Sequence, residues 1–331
     1  KAGQRKRAVT VFDQSFQVAQ DILDAYNRSL ALCGIALVMT KAGQRKRAVT
    51  VFDQSFQVAQ DILDDFKRSE VLREIALAMA EAGQKKKVIT VFDQSLKVAQ
   101  NISVAFFHSL ALREIALAMA EVGLFDRSLQ VAQNISDASD RSRALRGIAL
   151  TMAKAGQRKR AVTVFDQSFQ VAQNISVAFL RSVVLREIAL AMAEVGLFDQ
   201  SFQVAQNISN ASDRSQALRG IALAMAEAGL FDQSLQVAQD ISDDFLRSLA
   251  LREIALAMAK AGLFDRSLKV AQDISDDLYR SEVLRGIAEA MAEAGLLDRA
   301  FEVAKDIEEP TRRLQALVTI VAKMRKAGKI K

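Results

Sequence analysis

The sequence contains no tryptophan, one histidine, one proline and one cysteine in 331 residues. The lone cysteine, Cys33, excludes a disulfide framework and a cysteine-rich metal site. That scarcity suits a reducing compartment, and a cytoplasmic location is expected. His108 has no second histidine to share a metal with, and no serine has a histidine base. Glycine-rich phosphate loops and nucleotide fingerprints are missing as well. No enzyme activity, cofactor or metal is therefore expected. Apolar runs stay short of the roughly 18 residues that a membrane span requires.

What is present is half hydrophobic and a quarter charged, which excludes a disordered chain. The net charge of +6 is laid down unevenly. Four stretches read almost alike, GQRKRAVTVFDQS at Gly3, Gly43 and Gly156, and GQKKKVITVFDQS at Gly83. Elsewhere the same place carries a shorter text, such as GLFDQS at Gly229. The extra sevens hold Arg5, Lys6, Arg7, Arg45, Lys46, Arg47, Lys85, Lys86, Lys87, Arg158, Lys159 and Arg160, 12 bases with no acid. Without them, 33 of the 45 bases would remain against 39 acids. The basic balance belongs to the inserts.

Internal repetition organises the chain. Turn glycines fall at Gly3, Gly43, Gly83, Gly123, Gly156, Gly196, Gly229, Gly262, Gly295 and Gly328, in steps of 40 or 33 residues. In LREIALAMAKAG, Leu251, Ile254, Ala255 and Met258 share a helical face, and Gly262 supplies a left-handed stop. In LFDRSLKVAQDI, Phe264, Leu268, Ala271 and Ile274 form a second stripe, with Asp265 in the first turn. Each unit reads as a helix–turn–helix pair, helix A then helix B, and the count is nine of each, beginning with B. One pair cannot bury its apolar face alone, so neighbours must stack. The expectation is a single repeat array over 1–331, with 40-residue units mainly in 1–195 and 33-residue units mainly in 196–327. The chain starts at KAG, which elsewhere ends a helix, so a fragment of something longer is expected.

These residues resemble the tetratricopeptide repeats over essentially the whole chain. Leu251, Ile254, Ala255, Met258, Gly262 and Phe264 match that family's large–apolar–small–bulky–glycine–aromatic order. Ser267, Ala271 and Ile274 take the next signature places with large and small residues exchanged, and Tyr279 stands where the family has its closing proline. The period of 33 is shared with ankyrin repeats, whose TPLH motif is absent. Pentatricopeptide and HEAT-type pairs remain alternative relatives. The expected fold class is all-α, an α-solenoid of stacked antiparallel helix pairs forming a right-handed superhelix. The resemblance implies a concave groove lined by helix A that holds peptides.

Two readings of the seven extra residues are open. Seven residues make nearly two helical turns, so they can lengthen helix B without turning its buried face. Alternatively QRKRAVT is a loop, as the poor helix formers Val49, Thr50 and Val51 would suit. In either case the cations form one basic edge near the start of helix B. A second candidate surface is an arginine row on helix A at Arg73, Arg113, Arg146, Arg186, Arg219, Arg252 and Arg285, with Cys33 in its place in the first A helix. The planar guanidinium fork suits a partner's carboxylates. It equally suits a glutamate of a neighbouring unit.

The function expected from these features is a non-enzymatic scaffold that binds a protein or acidic peptide segment through the helix-A face and the basic edge. The alternatives are nucleic-acid backbone binding through the inserts, a self-assembling structural array, or the sensor arm of a larger protein.

Overall fold

The computed structural model describes residues 2–326, with side chains from Thr10 onward. All regular structure among them is α-helical. The chain divides into two compact units, Lys1–Val171 and Ala172–Lys331. The first holds α1 (Ala2–Gln20), α2 (Ala25–Lys41), α3 (Arg45–Gln60), α4 (Asp65–Glu81), α5 (Lys85–Ala99), α6 (Ala105–Glu121), α7 (Phe125–Gln133) and α8 (Ala138–Lys154). The division falls inside α9 (Arg158–Gln173). The second holds α10 (Ala178–Glu194), α11 (Phe198–Gln206), α12 (Ala211–Glu227), α13 (Phe231–Gln239), α14 (Asp244–Lys260), α15 (Phe264–Gln272), α16 (Asp277–Glu293), α17 (Leu297–Lys305) and α18 (Pro310–Lys326). Even-numbered helices are the A helices and odd-numbered ones the B helices. Within each unit, consecutive pairs stack as the repeat demands.

Local chemistry sets the ends. Asp24 opens α2 by accepting from the Asn27 amide at 2.8 Å, and Asp243 opens α14 by accepting from Leu246 at 2.8 Å. Gly43 closes the α2 turn at φ 81°, where a Cβ would be strained, and Gln44 N–H reaches back to the Met39 carbonyl at 2.9 Å. In six A helices the arginine that precedes serine folds back over the turn behind it. Arg28 donates to the Ile22 carbonyl at 3.0 Å, and Arg214 to Ile208 at 3.2 Å.

The extra sevens are helix. Every A helix has 17 residues, whereas α3 and α9 have 16 and α7, α11, α13, α15 and α17 have nine. From α3 onward helix B begins two residues after the turn glycine in both kinds of unit, so the added length moves the FDQS motif along helix A by about two turns; Gly3 lies inside α1 instead of before it. Hydrogen bonds record the shift. In the short units Ser128 and Ser201 donate to the Ala116 and Ala189 carbonyls, midway along helix A, at 2.5 and 2.6 Å. In the long units Ser55 reaches the start of helix A. There Ser55 donates to the Ser29 carbonyl at 2.8 Å while Ser29 donates to the Ser55 carbonyl at 2.7 Å. Ser142 and Ser168 make the same two-way clasp. The face is conserved by the shift: Ala48, Phe52, Ser55 and Ala59 of α3 are all fully buried.

Helix B length also sets the register between consecutive A helices. With a long B helix they run level, and their last residues Lys41 and Glu81 pair at 2.8 Å. With a short one the next A helix slides by one turn. Leu117, Leu190 and Leu256 then lean onto Gly147, Gly220 and Gly286, where an added Cβ would meet the leucine methyl at 2.3, 2.2 and 2.4 Å.

Removing Gln44–Thr50 is expected to leave one cooperative thermal transition with normal helix content, because α3 becomes a short B helix. Removing only 44–48 turns the face by about 140° and should broaden or abolish that transition. Ser55→Ala removes the buried hydroxyl that donates to the Ser29 carbonyl, half of the two-way clasp, and should lower stability by about 1 kcal/mol in denaturant titration.

Candidate functional site

The candidate site lies on the helix-A side of the first unit. Where the A helices run level, their leucines have no glycine to sit on. Leu37 and Leu77 therefore line an open cleft, with a volume of about 980 Å³. One wall is the helical stripe of Leu30, Cys33, Gly34 and Leu37 on α2. The other is Glu74, Leu77, Ala78 and Glu81 on α4. Val88 and Ile89 of α5 and Val122 and Leu124 beyond α6 close one end, with Lys85 and Glu121 at the rim. No atom lies within 4 Å of the place a Gly34 Cβ would occupy, unlike the occupied seats at Gly147, Gly220 and Gly286.

Of the basic edge, Arg5, Lys6 and Arg7 lie outside the described side chains. Arg45, Lys46, Arg47, Lys85, Lys86, Lys87, Arg158, Lys159 and Arg160 are all exposed. The last cation of each described triplet is held by an aspartate 34 residues earlier. Lys87 meets Asp53 at 2.6 Å, Arg47 bonds Asp13, and Arg160 bonds Asp126. The same pairing continues through Arg127 with Asp93, Arg266 with Asp232 and Arg299 with Asp265. Arg158 is also engaged within the chain. Arg45, Lys46, Lys85 and Lys86 make no ion pair among the described residues. This ladder is legible only as a constant spacing of 34 residues between a base that follows several of the turn glycines and the aspartate of the preceding FDQS-type motif.

The helix-A arginines sit beside the same face and have partners. Arg73 pairs with Glu74 at 2.8 Å. Arg113 holds Glu114 at 2.9 Å and Asp140 at 2.5 Å. Burial opposes the Arg113 charge, but those two carboxylates outweigh it and raise its pKa above the ordinary value. Arg186 meets Asp213 at 2.6 Å, Arg219 meets Glu253 at 2.6 Å, and Arg285 meets Glu289 at 2.8 Å. Arg252 reaches Glu282 at 3.4 Å and lies over the Tyr279 ring at 5.3 Å. Arg146 is engaged as well. The cleft leucines were the residues that the sequence concealed. Leu37 and Leu77 occupy the repeat place of Leu256, which does pack between units; only the longer B helix beside them distinguishes their setting.

Cys33 stands in the cleft wall and is buried, and burial followed by the charge of Glu74 pushes its thiol up to about 12. Among the described residues, no group of three or more potential metal ligands occurs, and no helix is long and apolar enough to cross a membrane.

Helix pairs of 33 and 40 residues, stacked through their A helices and turned by a left-handed glycine, make this chain a tetratricopeptide-like helical-repeat protein. No protein-family model matches it, and no curated protein matches it in sequence. Among solved structures, Ton1535 from Thermococcus onnurineus NA1 is similar at 16% identity, covering 95% of this chain and 96% of that one, with a TM-score of 0.43. A signal-transduction ATPase with a tetratricopeptide-repeat sensor, from Pyrococcus horikoshii, is 12% identical over 93% of this chain and 50% of its own, with a TM-score of 0.35. A Rap protein solved with competence and sporulation factor is 12% identical over 98% and 92% of the two chains, with a TM-score of 0.31.

The Cys33 environment has a measurable sign. The unfolded thiol loses its proton near the ordinary value of 9.0 and the folded one near about 12. Between those values the folded state binds more protons, so stability falls as pH rises above 9. The parent should therefore lose stability from pH 9 to 10 faster than Cys33→Ala in paired urea titrations. Equal slopes would place the thiol in a wetter site than the cleft wall.

Proposed function

We infer that the chain is a non-catalytic binding module that holds a segment of a partner protein along its helix-A face. The observation that carries this reading is the cleft of the first unit. Its volume of about 980 Å³ is that of a ligand site, and its walls are aliphatic with a few charges at the rim. Lys85 belongs both to that rim and to a basic triplet, so the cleft and the basic edge meet at one residue. The fitting partner segment has apolar anchors for Leu37, Leu77 and Ile89, followed by carboxylates for Lys85 and Lys86.

The helix-A arginines enter this reading in a secondary role. A partner's acid would reach Arg73 or Arg113 only by displacing Glu74, Glu114 or Asp140. Such an exchange gains little net energy. Arg45, Lys46, Arg158, Lys159 and Arg160 would instead attract an acidic segment from a distance.

A second reading, binding to a nucleic-acid backbone, draws on the exposed Arg45, Lys46, Lys85 and Lys86, which lack internal carboxylates. Its sign would be binding that collapses between low and moderate salt.

Selection of displayed peptides on the parent chain tests the first reading, since a tryptophan in the peptide reports binding to a chain that has none. Selected peptides are expected to carry paired apolar residues beside aspartate or glutamate. Leu77→Lys should abolish their binding, and Lys85→Gln should weaken it roughly three- to tenfold. Peptides whose affinity is unchanged by both substitutions would overturn the assignment to this cleft.

A further inference from the structure

We propose that the edge of the first unit where the A helices begin is a second docking surface, one that takes a basic and apolar segment of a partner protein. The turn from each B helix into the next A helix ends at the residue that caps the new helix. Asp24, Asp64 and Asp137 in the first unit, and Asn210, Asp243 and Asp276 in the second, each accept from the amide three residues on. At α6 and α10 the cap position holds Val104 and Val177, which make no such bond. Valine is among the poorest capping residues, so both helices give up local stability there. What they gain is apolar surface. Val104 is 52% exposed and Phe106 65%, with Phe107 exposed after them, and in the second unit Val177 and Phe179 are exposed in the same places.

In the first unit the exposed rings form one cluster. The Phe107 ring lies 5.4 Å from Phe106 and 5.2 Å from Phe66 of α4, and Leu63, in the turn before α4, is 96% exposed. Apolar surface gathered in this way marks a contact site. Phe66 also lines a pocket of about 240 Å³ between α4 and α6, together with Leu110, Glu70, Arg73 and Glu114. Arg73 is held by Glu74, and Glu114 by Arg113. Glu70 meets the Tyr26 hydroxyl at 3.2 Å and makes no ion pair among the described residues. Asp61 and Asp64, on either side of Leu63, make none either. Lys67, over the Tyr26 ring at 5.8 Å, offsets one of these three carboxylates, so the charge around the cluster stays negative. That sign opposes an anionic bilayer surface and favours a cation, which the faces of the phenylalanine rings attract as well. The fitting segment lays an apolar residue across Phe106 and Phe107 and turns a lysine or arginine into the pocket toward Glu70. Its charge is opposite to that of the segment inferred for the cleft, and this surface does not depend on that reading.

Two synthetic peptides with the same pattern of leucine and a single tryptophan, one filled with lysine and the other with glutamate, test this on the full chain by tryptophan fluorescence. Phe106→Ser should weaken the lysine peptide at least roughly tenfold, and Glu70→Gln roughly threefold. Leu77→Lys, in the cleft, should leave that peptide unaffected, and the glutamate peptide should not respond to Phe106→Ser. Val104→Asn separates binding from folding. It restores a cap, so it should raise the thermal midpoint by about 1–3 °C while weakening the lysine peptide roughly threefold. A lysine peptide that does not bind, or whose binding is unchanged by Phe106→Ser and Glu70→Gln, would overturn the proposal. So would capture of the parent by phosphatidylcholine vesicles that Phe106→Ser abolishes, which would make the occupant a lipid surface. Growth of the parent's mass with concentration, abolished by the same substitution, would overturn it in favour of a second copy.

Discussion

The structure turns on the near-commensurability of seven residues with two helical turns. An insertion of that length returns the buried face of helix B to within about 20° of its starting direction. The chain can therefore lengthen helix B without changing what it buries. Other consequences follow from where the FDQS serine lands, midway along helix A in a short unit and at its start in a long one. The next A helix runs level in one case and slides by a turn in the other. The cleft lined by Leu37 and Leu77 lies where the sliding does not occur.

Charge is used for alignment more than its distribution in the sequence suggests. A basic residue after each of several turn glycines reaches the aspartate of the preceding FDQS motif, and arginines on the other face bridge consecutive A helices or hold a carboxylate of their own. Most of these pairs are partly or wholly exposed, and each contributes little to stability. Their value is positional, since they repeat with the unit and penalise a slipped register. The inserts carry cations beyond this internal need at Arg45, Lys46, Lys85 and Lys86, which make no ion pair among the described residues.

The helix pairs and the turn glycines from Gly43 to Gly295 were legible in the sequence because the 3.6-residue period and the left-handed glycine are local signals; Gly3, read there as a turn, lies inside α1, and Gly328 lies outside the described residues. The inserts admitted two readings because Val49, Thr50 and Val51 are weak helix formers; tertiary burial of Ala48, Val51 and Phe52 outweighs that preference. The helix-A arginines were legible as a row but their partners were not, since Asp140, Asp213 and Glu253 arrive from the next A helix and at no single spacing in the sequence. The cleft was illegible for the same reason. Leu37 and Leu256 are the same letter in the same place, and only the length of the neighbouring helix decides which finds a glycine to sit on.

The turn glycine with its two-residue approach to helix B is common to both kinds of unit, and this makes the units interchangeable words in one grammar. Either kind can follow either without a new joint having to be invented. A whole unit gained or lost by unequal exchange keeps the same kind of joint between its new neighbours, while choosing the long or the short word decides whether consecutive A helices run level or slide. The identical residues 1–24 and 41–64 look like the mark of such an exchange. A chain built this way can change its reach and the position of its binding surface in single genetic steps, without passing through a form that cannot fold.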